Sequence, residues 1–401
     1  MKNHATLRLC APLCALIFGA TACGPHHGGG GGDAGEAGES GAGGVAGSGG
    51  VAGSGGIAGS GGVAGSGGVA GGGGAGEVPG YDEVIGCPAV TWPETATFTI
   101  LGSMEDRFFP TSISGDGRVL GGYYDGTTSR WSAAQGFTPT GNVYPDVLSC
   151  TGEFAVGNGL PHGVFRQSEA YGAEYLFGEA EAPVRQVSMT PDGSVVVGNI
   201  DDAYVNPGPF PVRWRAGSGA DLLSALSNTL VYHVSPDGAS LLGLDILHVF
   251  RWQEGAPKTV LLQQSPLAFD GPPTMPVSAD GHVYAFTQRS TLDSMVVARD
   301  ALPVLIGCPT TCAPTDVSGT GKVVVLWTGD ADNGTLIWTE QHGFRSLTTL
   351  VQQFGGDTQG RILSAYDVSD DGQAFTGTAG LPNNSLDYQG FYATLPRAAY
   401  E

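Results

Sequence analysis

The chain has 401 residues, 68 of them Gly, and a net charge of −21. A chain so acidic, with no basic run, excludes nucleic acid as the partner and argues against electrostatic adhesion to anionic lipid. The glycines are concentrated: residues 24–80 hold 29 in 57 positions, too little apolar surface to offset the entropy of ordering them. Residues 81–401 carry every Trp and 34 acidic against 15 basic residues, and are long enough for a sizeable core.

Taken in chain order, the first element is an export signal over 1–22. Lys2 and Arg8 precede an apolar run at 9–22, which is too short to span a bilayer and ends in Ala20-Thr21-Ala22. Cys23 follows, and the arrangement resembles a bacterial lipoprotein signal, in which that Cys is acylated and becomes the new N-terminus. The resemblance implies a membrane-anchored protein exported to the outer membrane or cell surface. Ordinary secretion, with Cys23 left as a thiol, is the alternative. No later stretch is apolar enough for a transmembrane helix.

Residues 23–80 read as the lipidated Cys and a disordered linker. VAGSGG stands at 45–50, 51–56 and 63–68, with IAGSGG at 57–62 and VAGGGG at 69–74. A Gly/Ala/Ser unit without Pro fits a flexible tether better than collagen or a hexapeptide β-helix. His26 and His27 lack the further ligands a metal needs.

The body, 81–401, repeats one pattern: an apolar residue, Ser, a spacer, Asp-Gly, then an apolar run. It stands at Ser114–Asp116–Gly117, Asp192–Gly193, Ser235–Asp237–Gly238, Ser278–Asp280–Gly281, Ser318–Gly321 and Ser369–Asp371–Gly372, with a degenerate copy at Ser149–Gly152. The motif glycines are spaced by 35, 41, 45, 43, 40 and 51 residues. Asp-Gly between β-branched runs marks a tight turn, because Gly takes φ > 0 without strain, and the Ser hydroxyl can bond nearby backbone. Later strands end in aromatics, as in Arg130-Trp131, Arg213-Trp214, Arg251-Trp252 and Ile337-Trp338. Three to four strands at this period predict an all-β fold, a β-propeller of seven blades; six or eight is the alternative if a copy is miscounted. Closure requires residues 97–101 and 390–395 to pair in one blade. Only 220–230 and 346–353 suggest short helical turns.

The Ser-x-Asp-Gly core, with His248-Val249-Phe250-Arg251-Trp252 behind the fourth copy, is similar to the HAF family of bacterial extracellular repeats. That resemblance covers residues 96–396 and implies a secreted, propeller-like protein of unknown biochemical role.

Candidate chemistry is sparse. Four Cys remain outside the signal and Cys23, at 87, 150, 308 and 312. An even count in an exported chain favours disulfides, with three connectivities open. The short spacing of Cys308 and Cys312 suits a local loop, which leaves Cys87 with Cys150. The five His at 162, 233, 248, 282 and 342 are scattered, and no nucleophile elbow or H-E-x-x-H occurs. Asp330–Gly334 begins like a calcium loop but lacks its spacing. Arg130, Arg213, Arg251 and Arg299 could line a face and bind an anion, or pack their stems between blades. These readings predict no metal, no cofactor and no catalytic residue. They predict a monomeric, lipid-anchored module that binds an unknown protein or glycan or serves a structural role. An extracytoplasmic hydrolase or lyase on carbohydrate or peptide, and a periplasmic scaffold for outer-membrane assembly, are the alternatives.

Overall fold

The computed structural model describes residues 87–400 apart from 104–106, 125–126, 142, 160–162, 171, 179–183, 202–208, 246, 264–274, 288–293, 329–333 and 383–386. The signal, Cys23 and the linker lie outside the described residues, as do His162 and Asp330–Asn333.

Seven antiparallel sheets follow one another around a central channel. Blade I is built from Phe108–Ile113, Val119–Tyr124, Thr127–Ser132 and Gly136–Gly141, innermost strand first. Blades II to IV repeat this order from Val147–Leu148, Val184–Met189 and Leu230–Val234. Blade V has three strands, Val283–Thr287, Ser294–Arg299 and Leu302–Gly307, with a single bridge from Val277 to Tyr284 in the innermost place. Blade VI runs from Cys312–Val317 to Gly343–Ser346. Blade VII takes Ile362–Val368, Ala374–Gly380 and Tyr388–Thr394 from the end of the chain, and its outermost strand, Thr97–Leu101, from the beginning. The register, Thr97 opposite Thr394 through Leu101 opposite Gly390, gives the closure expected from the sequence.

The second strand of each blade is apolar because it is covered on both faces by neighbouring blades. Val195, Val196 and Val197 are all buried, and so is every residue of Ala374–Gly380. The 51-residue spacing between Gly321 and Gly372 has a local cause. A short helix, Leu347–Gln353, follows blade VI, capped by the Ser346 hydroxyl, and buries Leu347, Leu350 and Val351. The second expected helix is corrected. Residues 219–222 form a strand, and only Ser224–Leu226 make a 3₁₀ turn before the next blade begins at Leu230.

All seven repeat turns share one construction. The motif hydroxyl accepts the N–H five residues on: Ser114 from Val119, Ser149 from Phe154, Thr190 from Val195, Ser235 from Ser240, Ser278 from Val283, Ser318 from Val323 and Ser369 from Ala374, at 2.9–3.1 Å. In five copies the same hydroxyl donates to the turn Asp two residues on. The Gly sits at φ +68° to +79° in every copy. It also faces the neighbouring blade: a Cβ at Gly238 would lie 2.7 Å from Val195 Cγ2, and one at Gly321 2.5 Å from Val283. These glycines are therefore required twice, by the turn and by the seam.

Candidate functional site

Counting back from the motif hydroxyl locates the channel. The third residue before it is Thr111, Asp146, Val187, Tyr232, Met275, Thr315 or Tyr366, and all seven line one central cavity of about 360 Å³. Five of them stand where the innermost strand breaks register against its neighbour. A β-bulge turns a side chain that would otherwise alternate into the sheet toward the lumen. Thr111, Val187, Tyr232, Thr315 and Tyr366 owe their place on the cavity wall to this device.

In five blades the residue two before the hydroxyl reaches across the seam to the next blade. Asp367 Oδ2 accepts the Ile113 N–H at 2.8 Å, and Asp316 Oδ2 the Val368 N–H at 2.9 Å. Ser188 Oγ accepts the Val234 N–H at 3.3 Å. Ser112 donates to Pro145 O at 3.0 Å, and the His233 ring contacts Ala279 O through Nε2 at 3.1 Å. Below them the residues after the hydroxyl link main chain to main chain: Cys150 N–H to Pro191 O, Ala279 N–H to Gly319 O and Asp370 N–H to Gly115 O, at 2.9–3.1 Å. These bonds set a narrow ring of backbone at the turn face of the channel.

The lining contains four carboxyl groups, two tyrosines and one histidine, and no Lys or Arg among its described residues. Crowding by protein disfavours the charged forms. Surrounding protein raises Asp146 to about 6 by desolvation, although the residue is exposed to solvent, against hydrogen bonds from Asn158 that lower it. Burial, then the charges of Asp367, Asp371 and Asp116, raise Asp370 to about 7. Asp316 and Asp367 hydrogen-bond to each other, which requires a proton between them. Burial holds both above the usual carboxylate range, and the Asp367 charge adds to the shift on Asp316. Burial lowers His233 to about 4, so near neutral pH the ring is uncharged and its Nε2–H donates to Ala279 O.

The structure joins Cys87 to Cys150 and Cys308 to Cys312. The second bridge lies between the last strand of blade V and the first of blade VI. Two disulfides in one body are the mark of an oxidising, extracytoplasmic compartment. The predicted turn residues Asp116, Asp192, Asp237, Asp280 and Asp371 stand on the turns themselves and bond the turn hydroxyl and nearby N–H groups. Among the described residues no group of three His, Cys, Asp or Glu is placed to hold a metal.

The arginines do not form an anion-binding line. Arg130 donates to Glu153 O and Gln167 O, Arg166 to Gly193 O and Arg251 to Gly281 O, each on the following blade. Arg213, 2 % exposed, reaches Glu254 at 2.9 Å. Arg299 occupies a different register and lies 3.9 Å from Glu340. Tyr392 plays the arginine's part on blade VII, donating to Gly117 O at 3.0 Å. The sequence showed the repeated Arg but not its target, because a carbonyl on the next blade lies some 30 residues away.

A larger groove of about 1290 Å³ lies on the turn face, between residues 87–94, blades V and VI and the C-terminal Pro396–Tyr400. Its described lining mixes acids and bases, as in the Arg299–Glu340 pair. The channel is where seven blades contribute equivalent positions, and it is the candidate site.

The sequence matches no protein-family profile and no curated protein. Among solved structures, the chain is similar to an oligogalacturonate lyase from Vibrio parahaemolyticus, with TM-score 0.54 and 10% identity over 76% of this chain and 94% of that one. It is also similar to the β-propeller domain of Cps50 from Myceliophteria thermophila, with TM-score 0.51 and 13% identity over 73% of this chain and 98% of that one. At such identities the likeness establishes the architecture, and with the blade count above it makes this an all-β, seven-bladed β-propeller.

Proposed function

We propose that this protein is an exported, envelope-tethered binding module whose propeller takes up a small ligand in its central cavity without transforming it. One observation carries this reading. Of the groups at the cavity suited to acid–base chemistry, Asp316, Asp367 and His233 are each committed to main-chain groups of the next blade, and Asp146 accepts from Asn158. They bind blade to blade, and the bulge residues Thr111, Tyr232, Thr315 and Tyr366, themselves hydrogen-bonded within the fold, form the wall that faces a ligand. Four carboxyl groups and no Lys or Arg in the described lining favour a neutral or cationic molecule rich in hydrogen-bond donors. An acidic oligosaccharide of the kind named for the Vibrio lyase would find no Lys or Arg in the described lining to pair with, so that reaction is not assigned to this chain.

The repeat grammar similar to HAF-type extracellular repeats, the two disulfides and the lipoprotein-like signal support a place outside the cytoplasm. In this reading Cys23 is the lipid-bearing residue and 24–80 the tether. The test has two arms. Putrescine should raise the thermal midpoint and succinate should not, and Tyr366→Ala should abolish that rise while melting near the parent. Turnover of an acidic oligosaccharide, or stabilisation by succinate alone, would overturn the binding assignment. Cys23→Ser should move the protein from the membrane to the soluble fraction in a host that processes lipoproteins, and unchanged membrane association would remove the anchor from the proposal.

A further inference from the structure

The ring of backbone at the turn face is not the last layer over the cavity. Cys150 belongs to that ring, on blade II, and is disulfide-bonded to Cys87. On the far side of blade I, Cys87 Sγ lies 3.0 Å from Asp370 Oδ2 of blade VII. A sulfur in a disulfide carries no proton, so this contact accepts from a protonated Asp370 or is van der Waals packing. Between them, a Cβ built on Gly115 would come within 2.8 Å of the same sulfur, so only Gly leaves room for the bridge to cross blade I. Cys150, Gly115 and Asp370 all line the cavity, whereas Cys87 lines the groove outside it. The disulfide therefore stands on the boundary between the two spaces.

The segment that follows is fixed along its length. Trp92 donates its indole N–H to Asp371, and its ring packs on Gly117 and Ala374. Ala96 N–H bonds Phe354 O at 2.9 Å, and Thr97 opens the outermost strand of blade VII. A chain held at the channel rim by a covalent bond, then by Trp92, then by a strand cannot swing aside without breaking one of these anchors.

We infer that residues 87–96 are a strap that seals the turn-face end of the channel, with Cys87–Cys150 as its latch, so that the central cavity is a blind pocket entered from the opposite end. The inference rests on the reading of the cavity as a binding site for its purpose, but its geometry is tested without any ligand. A one-ended pocket loses a through-path for solvent and presents ligand with one set of walls, the bulge residues, before it reaches the seam carboxylates.

The test uses the full chain carrying Ala279→Cys, which places a thiol at the cavity rim on blade V, with peptide mapping to confirm that Cys87 and Cys150 stay joined. Two reagents are compared: a small maleimide, and a maleimide on a polyethylene glycol chain too bulky for the cavity. In the latched protein the small reagent should react and the bulky one should not. Adding Cys87→Ser and Cys150→Ser should raise the bulky reagent's rate about tenfold or more, because access then no longer waits on local opening. Equal rates for the two reagents in the latched protein would overturn the seal. Failure of the small reagent as well would overturn entry from the opposite end. Bulky labelling unchanged in a folded latch variant would remove the disulfide from the role. The comparison within the latched protein stands even if the serine variant does not fold. A confirmed seal with no response to putrescine would leave the strap in place and sink the binding reading alone.

Discussion

Asp370→Asn tests the electrostatics of the channel with least disturbance to its shape. Asp370 carries part of the ring hydrogen bonding through its main chain, and its carboxyl stands beside Asp367, Asp371 and Asp116, with no Lys or Arg in the described cavity lining. Its pKa is raised from 3.8 to about 7, mainly by burial. A raised acid is protonated in the fold while the unfolded chain has already ionised. The folded state therefore binds more protons over that window, and stability falls as pH rises from the unfolded value through the folded one. Between about pH 4 and pH 7 the slope is about 1.4 kcal/mol per pH unit, an upper bound of about 4 kcal/mol. Asp370 is only part-buried, and water in the channel reduces this to about 1–2 kcal/mol. The asparagine variant removes the titration while keeping the neutral shape. Its thermal midpoint should match the parent near pH 4 and exceed it near pH 8, by about 2–4 °C per kcal/mol. Asp146, Asp316 and Asp367 carry the same sign, so a residual slope should persist in the variant. Asp237 gives the opposite control: hydrogen bonds from Ser235 and Ala239 lower its pKa, so its contribution is lost as pH falls. Parallel midpoint–pH curves for parent and Asp370→Asn would refute the argument.

Gly193→Val and Gly238→Val each place a β-branched residue at φ +70° and drive it into the blade before, Phe154 in one case and Val195 in the other. Both should lose about 2–4 kcal/mol in chemical denaturation; a variant that loses ligand binding but melts like the parent would make that turn part of a site. Arg166 lies over the rings of Phe154 and Trp214, at 4.8 and 4.4 Å, and donates to Gly193 O at 2.9 Å. Arg166→Lys should therefore cost about 1–2 kcal/mol despite keeping its charge, and an unchanged midpoint would place no energy in the stack. Replacing Cys308 and Cys312 together by Ser opens only a small loop, so far-UV dichroism should be unchanged and the stability loss at most about 2 kcal/mol. Global unfolding of that variant would show the bridge holding the ring rather than one rim.

Blade number and ring closure were legible because they depend on local chemistry repeated at a fixed period. A Ser, an Asp-Gly and an apolar run specify a turn and a buried strand within ten residues, and seven copies count seven blades. The degenerate copy at Ser149 kept its hydroxyl and its Gly but lost the Asp, and it folds the same way, with a shorter innermost strand, Val147–Leu148. The Asp is therefore the dispensable member of the motif, whereas hydroxyl and Gly are not. The 220–230 segment misled because its Ala and Leu content suits a helix, but Gly219–Leu222 pairs as an edge strand with Val212–Arg215 of the same sheet.

The site was not legible, for a reason visible in its residues. Thr111, Asp146, Val187, Tyr232, Met275, Thr315 and Tyr366 share no chemistry, so no search for a conserved-looking letter finds them. They share only a distance from the motif hydroxyl and, in five blades, a bulge. The residues that follow them differ as widely, yet five of them, Ser112, Ser188, His233, Asp316 and Asp367, bond the main chain of the next blade. A main-chain N–H or C=O accepts many partners, so the seam tolerates any polar side chain of suitable reach. The turn has no such freedom, since φ near +70° and the approach of the next blade leave only Gly. The repeat is therefore strict where backbone geometry decides and loose where a side chain meets backbone. That looseness lets one scaffold vary the chemistry of its channel while the ring around it stays closed.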